Sequence, residues 1–241
     1  MSVRVSAKDI DFRKLNQQIK STPEDVYIEA CYGQRFLASG LAGTKQVTIQ
    51  GTPGNALGAY LDGATLVVEG NAQDAVGDTM NGGKIIIHGN AGDELGYAMR
   101  DGRILVKGNA GYRTGIHMKE YREKKPVIVV GGQVGSFLGE YLAGGLIVVL
   151  GLGAQEAPVG NFTGTGMHGG KIFIRTEQEL KGLPAQVTAE LAGTDALAEI
   201  VPYVQEFAAY FGMAAEALLN GRFYRLTPNA KNPYKQLYTA Y

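Results

Sequence analysis

A 19-residue repeat limits the possible folds of this chain more than any other feature of its sequence. Glycine recurs at that interval in two series, which are Gly51, Gly70, Gly89, Gly108 and Gly58, Gly77, Gly96, Gly115. A short β-type run precedes each member of the first series: QVTIQ, TLVVE, KIIIH and RILVK. Several positions that stay in phase over four units indicate a repeat architecture.

The repeat length predicts an all-β solenoid. Nineteen residues at about 3.3 Å each trace a perimeter near 60 Å, which suits a coil of short strands joined by sharp corners. A propeller blade takes about 40 residues or more and is excluded. Extending the frame in both directions gives a single-stranded parallel β-helix of about seven coils, stacked at about 4.8 Å.

Residue types within the repeat predict which positions face the interior. Alternate apolar residues of each run point inward, and a second apolar row at interval 19 is expected to fill the coil. This row consists of Leu61, Met80, Met99 and Met118. Glycine is expected at corners that need a positive φ or a close backbone approach. Asn71, Asn90 and Asn109 are expected there because asparagine tolerates the left-handed region.

The repeat also divides the chain into three parts. Residues 1–24 form an N-terminal helical cap, in which Ile10, Leu15 and Ile19 have helical spacing and Asp9 is the expected N-cap. Residues 25–176 form the β-helix, interrupted by a charged projecting loop at 119–126. Residues 177–241 form a helical and extended tail.

Specific residues set the ends of the predicted tail helices. Pro202 is expected to begin or kink a helix and Gly212 to end one, because proline suits the first helical turn and glycine the C-terminal cap. After residue 221 the chain is expected to be extended.

Composition excludes several functional classes. With 23 basic and 23 acidic residues, the chain has no electrostatic footprint for nucleic acid or an anionic membrane. The single cysteine cannot form an intrachain disulfide or hold an iron–sulfur cluster alone. The N-terminus lacks the apolar core of a signal peptide, and no apolar run approaches the roughly 20 residues of a membrane span. A cytoplasmic protein is expected.

The stretch VIVVGGQVGSFLGEYLAGG at 127–145 looks like a dinucleotide-binding loop but fits the repeat frame instead. A strand, LIVVL, follows its glycines where a nucleotide fold needs a helix. His88, His117 and His168 are expected at surface or corner positions, and Cys31 as a structural thiol. We therefore assign no catalytic, cofactor-binding or metal-binding residues.

One outward position is apolar in almost every coil, although a solvated face should be polar there. This apolar stripe consists of Val67, Ile86, Leu105, Val129, Val148 and Phe173. A continuous apolar stripe usually marks an interaction surface, so we predict that it is a partner interface. Alternatively, the apolar stripe is buried by a second copy of the chain or by the chain's own tail.

The repeated pattern G-N-A-x-x-x-x-G, with strands and G-G corners, resembles the GXGXG domain. This is the C-terminal β-helical domain of the glutamate synthase large subunit. The segments at 70–96 (GNAQDAVGDTMNGGKIIIHGNAGDELG) and 139–151 (GEYLAGGLIVVLG) carry the resemblance most closely. The resemblance covers residues 25–176. The chain is similar to free-standing proteins of the glutamate-synthase type.

The resemblance implies a right-handed β-helix that acts as a non-catalytic scaffold in a glutamate-synthase-type complex. Such a complex transfers the amide nitrogen of glutamine to 2-oxoglutarate. The glutaminase and the FMN/iron–sulfur synthase would be partner chains, and FMN and the iron–sulfur cluster would bind there rather than on this chain. A homo-oligomer is a further possibility.

Two alternatives remain open. The chain also resembles the β-helical component of formylmethanofuran dehydrogenase, a molybdenum or tungsten enzyme built from several chains. A β-helical enzyme acting alone, as an acyltransferase or a polysaccharide lyase, is disfavoured because 19 is not a multiple of the six-residue acyltransferase repeat.

Overall fold

The computed structural model describes residues 2–229, which form a β-solenoid with a few short helices. The elements in chain order are β1 (Ser2–Ser6), α1 (Phe12–Ser21), β2 (Asp25–Tyr32), β3 (Gln46–Thr52), β4 (Thr65–Val68), β5 (Asn81–Ile87), β6 (Asp101–Val106), β7 (Val127–Val130), β8 (Ala143–Val149), β9 (Gly169–Arg175), β10 (Val187–Leu191), α2 (Thr194–Ala198), α3 (Val201–Phe211), α4 (Ala215–Leu219) and β11 (Phe223–Pro228).

Strands β1 to β9 form one parallel ladder in which each strand pairs with the next along the chain. The β2 to β9 strands define about seven coils, which confirms the predicted solenoid. The register holds across the insertion at 119–126, because Leu105 pairs with Val129 although the two are 24 positions apart. The extra residues therefore lie outside the stack, and the strand register is the same on both sides of them.

The interior of the coils is filled by the predicted apolar rows. Inward strand residues such as Val47, Ile85 and Ile104 are fully buried. The row Leu61, Met80, Met99, Met118 is also 0% exposed. The coil is thus a packed core in which each residue contacts its counterparts above and below.

The N-terminal end of the stack is covered by a strand and a helix. Strand β1, which the sequence did not predict, adds in parallel to β2. Helix α1 buries Leu15 and Ile19, and the Asn16 side-chain oxygen accepts a hydrogen bond from the Ala38 backbone N–H at 2.8 Å. The predicted N-cap was wrong: Asp11 caps α1, accepting from the backbone N–H of Arg13.

The C-terminal end is closed by the chain turning back on itself. Strand β11 pairs antiparallel with β9, and β10 pairs antiparallel with β11. Pro202 lies in the first turn of α3, and Gly212 ends that helix in the left-handed conformation with φ 66°, both as predicted. The predicted extended tail begins with β11, and its remainder at 230–241 lies outside the described residues.

None of the helices within residues 2–229 has both the length and the apolar character that crossing a bilayer requires.

Candidate functional site

One corner of the solenoid has three left-handed residues in nearly every coil, spaced two apart. The middle residue is the glycine of the second repeat series, including Gly58, Gly77, Gly96 and Gly115, with φ between 64° and 72°. The flanking positions have non-glycine residues at nearly the same φ. The first flanking row includes Ala75, Glu94, Arg113, Phe137 and Phe162, and the second includes Tyr60, Thr79, Ala98, His117 and Tyr141.

From Gly58 onward the middle row needs glycine for space as well as for its φ angle, whereas Ala38 holds the equivalent position of the first coil at φ 56°. A Cβ atom on Gly77 would lie 2.5 Å from Cδ1 of Ile104, and one on Gly96 would lie 2.5 Å from Cδ1 of Ile128. Flanking residues adopt the same φ with full side chains because those side chains point away from the core. The sequence offered two explanations for these glycines, a positive φ and a close approach, and the structure shows both at these positions.

The asparagines of the repeat form a hydrogen-bonded ladder along the stack. Oδ1 of Asn71 accepts from the backbone N–H of Asn90, and Oδ1 of Asn90 accepts from that of Asn109, each at 2.8 Å. Asn109 continues the ladder to the N–H of Gln133 at 2.8 Å. The predicted left-handed role was wrong, because none of these asparagines has a positive φ.

The first glycine series makes room for this ladder. A Cβ atom on Gly89 would overlap Oδ1 of Asn71, and one on Gly108 would overlap Oδ1 of Asn90. A second ladder runs beside the first, since Oδ1 of Asp74 accepts from the N–H of Asp93 at 3.0 Å. Backbone donors at the corners, which the strands do not pair, are thus satisfied by side chains.

The apolar stripe is covered by the chain's own tail. Ile86, Leu105, Val129, Val148 and Phe173 are 0% exposed, and Val67 is partly buried against the same cluster. The cluster also includes α3 residues, which are Val204, Phe207, Ala208 and Phe211. This corrects the prediction of a partner interface, because the amphipathic face of α3 already occupies the surface.

An ion-pair clamp holds α3 on the sheet. Glu206 is 14% exposed at its side chain and contacts Lys84 at 2.6 Å and Arg103 at 2.5 Å. The hydrogen bond from Lys84 to Glu206 raises the pKa of Lys84. Lys171 contacts Glu199, just after α2, at 2.6 Å. Helix and sheet are therefore joined at several points along the stripe.

The second flanking row opens into a groove that we call the corner groove, of about 590 Å³. It is lined by Tyr97, Ala98, Arg100, His117, Lys119, Tyr141, Ala143 and His168. The His117 and Tyr141 rings stack with centroids 5.0 Å apart and planes inclined by 10°. Tyr97 meets the His117 ring edge-on at 5.9 Å.

The three histidines lie in two different environments. His117 and His168 line the corner groove although 51 positions separate them in the sequence. His88 packs edge-on against Phe211 of α3 at 5.1 Å. The described residues include no cluster of three or more His, Cys, Asp or Glu side chains arranged to hold a metal ion.

Cys31 is fully buried, and burial raises the pKa of its thiol to about 11. The thiol is therefore protonated at neutral pH, which is unfavourable for a nucleophile.

The nucleotide-like stretch at 127–145 forms part of one coil. Strand β7 is followed by turns and then by β8, with no intervening helix. A Cβ atom on Gly131 would lie 2.2 Å from the backbone carbonyl oxygen of Lys107 and 2.9 Å from Cζ of Phe207, so this glycine gives room to the preceding coil and to α3. Gly132 gives room to the Asn109 ladder.

Comparisons with known proteins agree with this architecture. An uncharacterized protein of Methanocaldococcus jannaschii, MJ1350, is 40% identical over 252 aligned residues, covering 98% of this chain and 96% of that protein. A chain of the formyltransferase/hydrolase complex from Methylorubrum extorquens, solved with methylofuran, superposes with a TM-score of 0.68 at 20% identity. That alignment covers 95% of this chain and 92% of the other.

At that level of identity, the superposition shows a shared fold. The model of the GXGXG motif family matches residues 19–229, which is most of the chain. The protein therefore belongs to the GXGXG family.

Proposed function

We propose that this chain is a non-catalytic structural subunit of a glutamate-synthase-type complex. Partner chains would supply a glutaminase and an FMN/iron–sulfur synthase, and both cofactors would bind there. The observation that carries the proposal is the GXGXG match over residues 19–229, because that domain type is a scaffold between the two activities in glutamate synthase. The complex as a whole would be an oxidoreductase of glutamate biosynthesis.

The rigidity of the stack supports a scaffold role. Seven coils at about 4.8 Å give a rod of roughly 30–35 Å, with a filled interior and side-chain ladders at its corners. Such a rod holds exposed groups at fixed separations, as a spacer between catalytic chains must. The tail packed on the apolar stripe adds a second layer on one face.

Similarity to a chain of a formyltransferase/hydrolase complex supports a subunit role in general terms. It makes a formyl-group complex the main competitor of our proposal. The two differ in their partner chains, so partner identity separates them.

The test is native purification from the source organism, followed by mass spectrometry of the proteins that co-elute. We expect a glutaminase and a flavin- and iron–sulfur-containing chain, with glutamine-dependent glutamate formation by the complex and none by this chain alone. Co-elution with molybdenum, tungsten or formyl-transfer subunits would replace our assignment with the competing one. A monomer without either partner, or activity of the isolated chain on an acyl-CoA or a polyuronide, would overturn the proposal.

A further inference from the structure

The strands at the two ends of the sheet each have one side without a neighbouring strand among residues 2–229. In the order of the sheet, β1 is first and β10 is last. Neither sequence, SVRVS or VTAEL, has a proline, and neither strand has a bulge in its pairing. Prolines and bulges are devices that stop an edge strand from pairing with another chain. Both edges of the sheet therefore lack these barriers to one more strand.

The register of the sheet places matching residues on the two edges. Followed from strand to strand, the row that begins at Val3 ends at Ala189, and both residues lie on the inward face. The other inward row begins at Val5 and ends at Leu191, again through every pairing. A second copy added in the same register would continue both apolar rows.

The outward row between them matches in charge. It begins at Arg4 and ends at Glu190. The two side chains are 70% and 49% exposed and pair with Glu29 and Arg225 of their own chain. In the added copy, Arg4 would lie beside Glu190 of its neighbour, so that this glutamate would stand between two arginines.

Strand direction permits the addition. Strand β10 is antiparallel to β11, and β11 is antiparallel to β9, so β10 runs in the same direction as β1 to β9. A copy stacked on the C-terminal end would therefore bring its β1 alongside β10 as a parallel pair. This is the pairing that the solenoid already uses between successive coils.

The backbone groups of the two edges are also complementary. The N–H of Ala192 donates to a carbonyl of β11 at 2.9 Å, so the groups of Ala189 and Leu191 point away from β11, because facing alternates along a strand. The N–H of Ala7 donates to a carbonyl of β2 at 2.8 Å, so by the same alternation the groups of Arg4 point away from β2. In the stacked pair, the Arg4 N–H would donate to the Ala189 carbonyl, and the Arg4 carbonyl would accept from the Leu191 N–H.

The edge strands also have exposed aliphatic side chains. Among the large hydrophobic residues that are exposed within residues 2–229, Val3 at 40% and Leu191 at 59% are the two aliphatic ones, and the others are aromatic. They lie at opposite ends of the solenoid. Stacking would bring them diagonally together and remove both from water, which favours association.

The two end segments have opposite net charges. Residues 2–21, which include β1 and α1, have five basic and two acidic side chains, a net charge of +3. Residues 176–193, which include β10, have one basic and three acidic side chains, a net charge of −2. Opposite charges on facing surfaces steer two molecules into register and suppress the wrong orientation.

We propose that copies of this chain associate head to tail, with β1 of one copy added in register to β10 of the next. The two surfaces differ, so the contact is heterologous and leaves one free edge at each end of the assembly. Growth therefore does not stop at two copies. This contact does not rest on the proposed function, because it follows from the edges of this chain alone.

The first test is sedimentation velocity of the full chain over a wide range of concentrations. The weight-average mass should rise with concentration and exceed twice the mass of one chain, because a heterologous contact is not closed by a dimer. A monomer at every concentration would overturn the proposal. A plateau at two copies would also overturn it, since it would indicate a symmetric contact instead.

Proline variants block one edge at a time. Arg4→Pro and Ala189→Pro each remove an outward backbone donor and leave the pairing on the other side of the strand intact. Each variant alone should be monomeric. Mixed in equal amounts, the two should form a dimer that does not grow, because each supplies the edge that the other lacks. Circular dichroism verifies folding. A mixture of folded variants that stays monomeric, or a single variant that associates like the parent, would refute the head-to-tail contact.

A matched pair of serine variants provides a milder test. Leu191→Ser removes an exposed apolar side chain from the edge and should lower the association constant by about tenfold. Tyr112→Ser is the control, since Tyr112 is 53% exposed and lies between β6 and β7, away from both ends. It should change the association constant by less than about twofold. Equal effects of the two variants would contradict the assignment.

Native purification distinguishes a second copy from a strand of a partner chain. If the isolated chain stays monomeric while the Ala189→Pro variant loses its co-eluting partners, the edge binds a partner strand, and the second copy is wrong. Self-association without a glutaminase or synthase partner would disprove the parent complex but keep the head-to-tail contact. Recovery of those partners with a chain that never self-associates would do the reverse.

Discussion

Replacing Gly77 by alanine tests the spatial explanation of the glycine repeat. The new Cβ would lie 2.5 Å from Cδ1 of Ile104 inside the packed core, and overpacking of this kind costs about 1–3 kcal/mol. Alanine at φ 70° adds about 1–2 kcal/mol, offset by about 0.4–1 kcal/mol from the less flexible unfolded chain. We expect the free energy of unfolding to fall by about 2–4 kcal/mol.

Urea unfolding followed by far-ultraviolet circular dichroism measures this change, because the chain has no tryptophan to report by fluorescence. A loss of that size should lower the midpoint by about 1 M or more. The matched control is Ala75→Gly, two residues earlier at φ 56°, where glycine relieves the unfavourable angle without touching the core. It should leave stability unchanged or raise it by up to about 1 kcal/mol.

A double-mutant cycle with Ile104→Val isolates the contact. Valine removes the Cδ1 atom that the new Cβ would meet and alone costs about 0.5–1.5 kcal/mol. If the clash dominates, the double variant should be more stable than the sum of the two single effects by about 1 kcal/mol or more. Strict additivity, or equal effects of Gly77→Ala and Ala75→Gly, would refute the spatial explanation.

Three further changes test the ladder, the clamp and the buried thiol. Asn90→Ala leaves the N–H of Asn109 without its acceptor and should lower the unfolding free energy by about 1–3 kcal/mol in urea titrations, whereas Asn90→Asp, which keeps an acceptor, should cost less. Glu206→Gln weakens the contacts of α3 with two basic strand residues and should speed amide hydrogen exchange in α3 but not in the central strands; uniform acceleration would contradict the clamp. The raised pKa of Cys31 means that the folded chain holds the thiol proton longer than the unfolded chain, so stability should fall as pH rises from about 9 to about 11, by about 2–3 kcal/mol in total. Cys31→Ala should remove that part of the slope, and identical pH profiles of variant and parent would exclude the assignment.

The sequence predicted the fold well because the repeat acts at short range. Each coil pairs with the next, so the 19-residue interval alone placed Val67, Ile86 and Leu105 in register. The same interval identified the apolar stripe but not the segment of the chain that packs on it. The residues of α3 that cover it, including Phe207, lie beyond the repeat, and helical periodicity does not say which surface a helix packs against.

Strand β10, at the C-terminal end of the sheet, was missed for a related reason. Strand β10 pairs with β11, and about 30 residues with three helices lie between them. Neither strand belongs to the repeat, and a five-residue segment such as Val187–Leu191 has too little pattern to be recognised alone.

The corner groove escaped prediction because its lining residues do not keep the 19-residue interval. Tyr97 and His117 are 20 positions apart, whereas His117 and Tyr141 are 24 apart and Tyr141 and His168 are 27 apart. Only the observed register, which continues through each insertion, brings them to one surface. Aligning the coils by their glycines and then comparing the corner residues column by column would have detected the ring pair.

The in-register stack makes the chain a molecular ruler. Since every coil advances the rod by one strand spacing of about 4.8 Å, the distance between any two exposed corners takes whole-number steps of that length. Removing or duplicating one 19-residue unit, for example between β4 and β5, would keep all pairings and shift everything beyond it by a single step. Partner chains attached at the two ends would then stand at a separation set directly by the number of repeats.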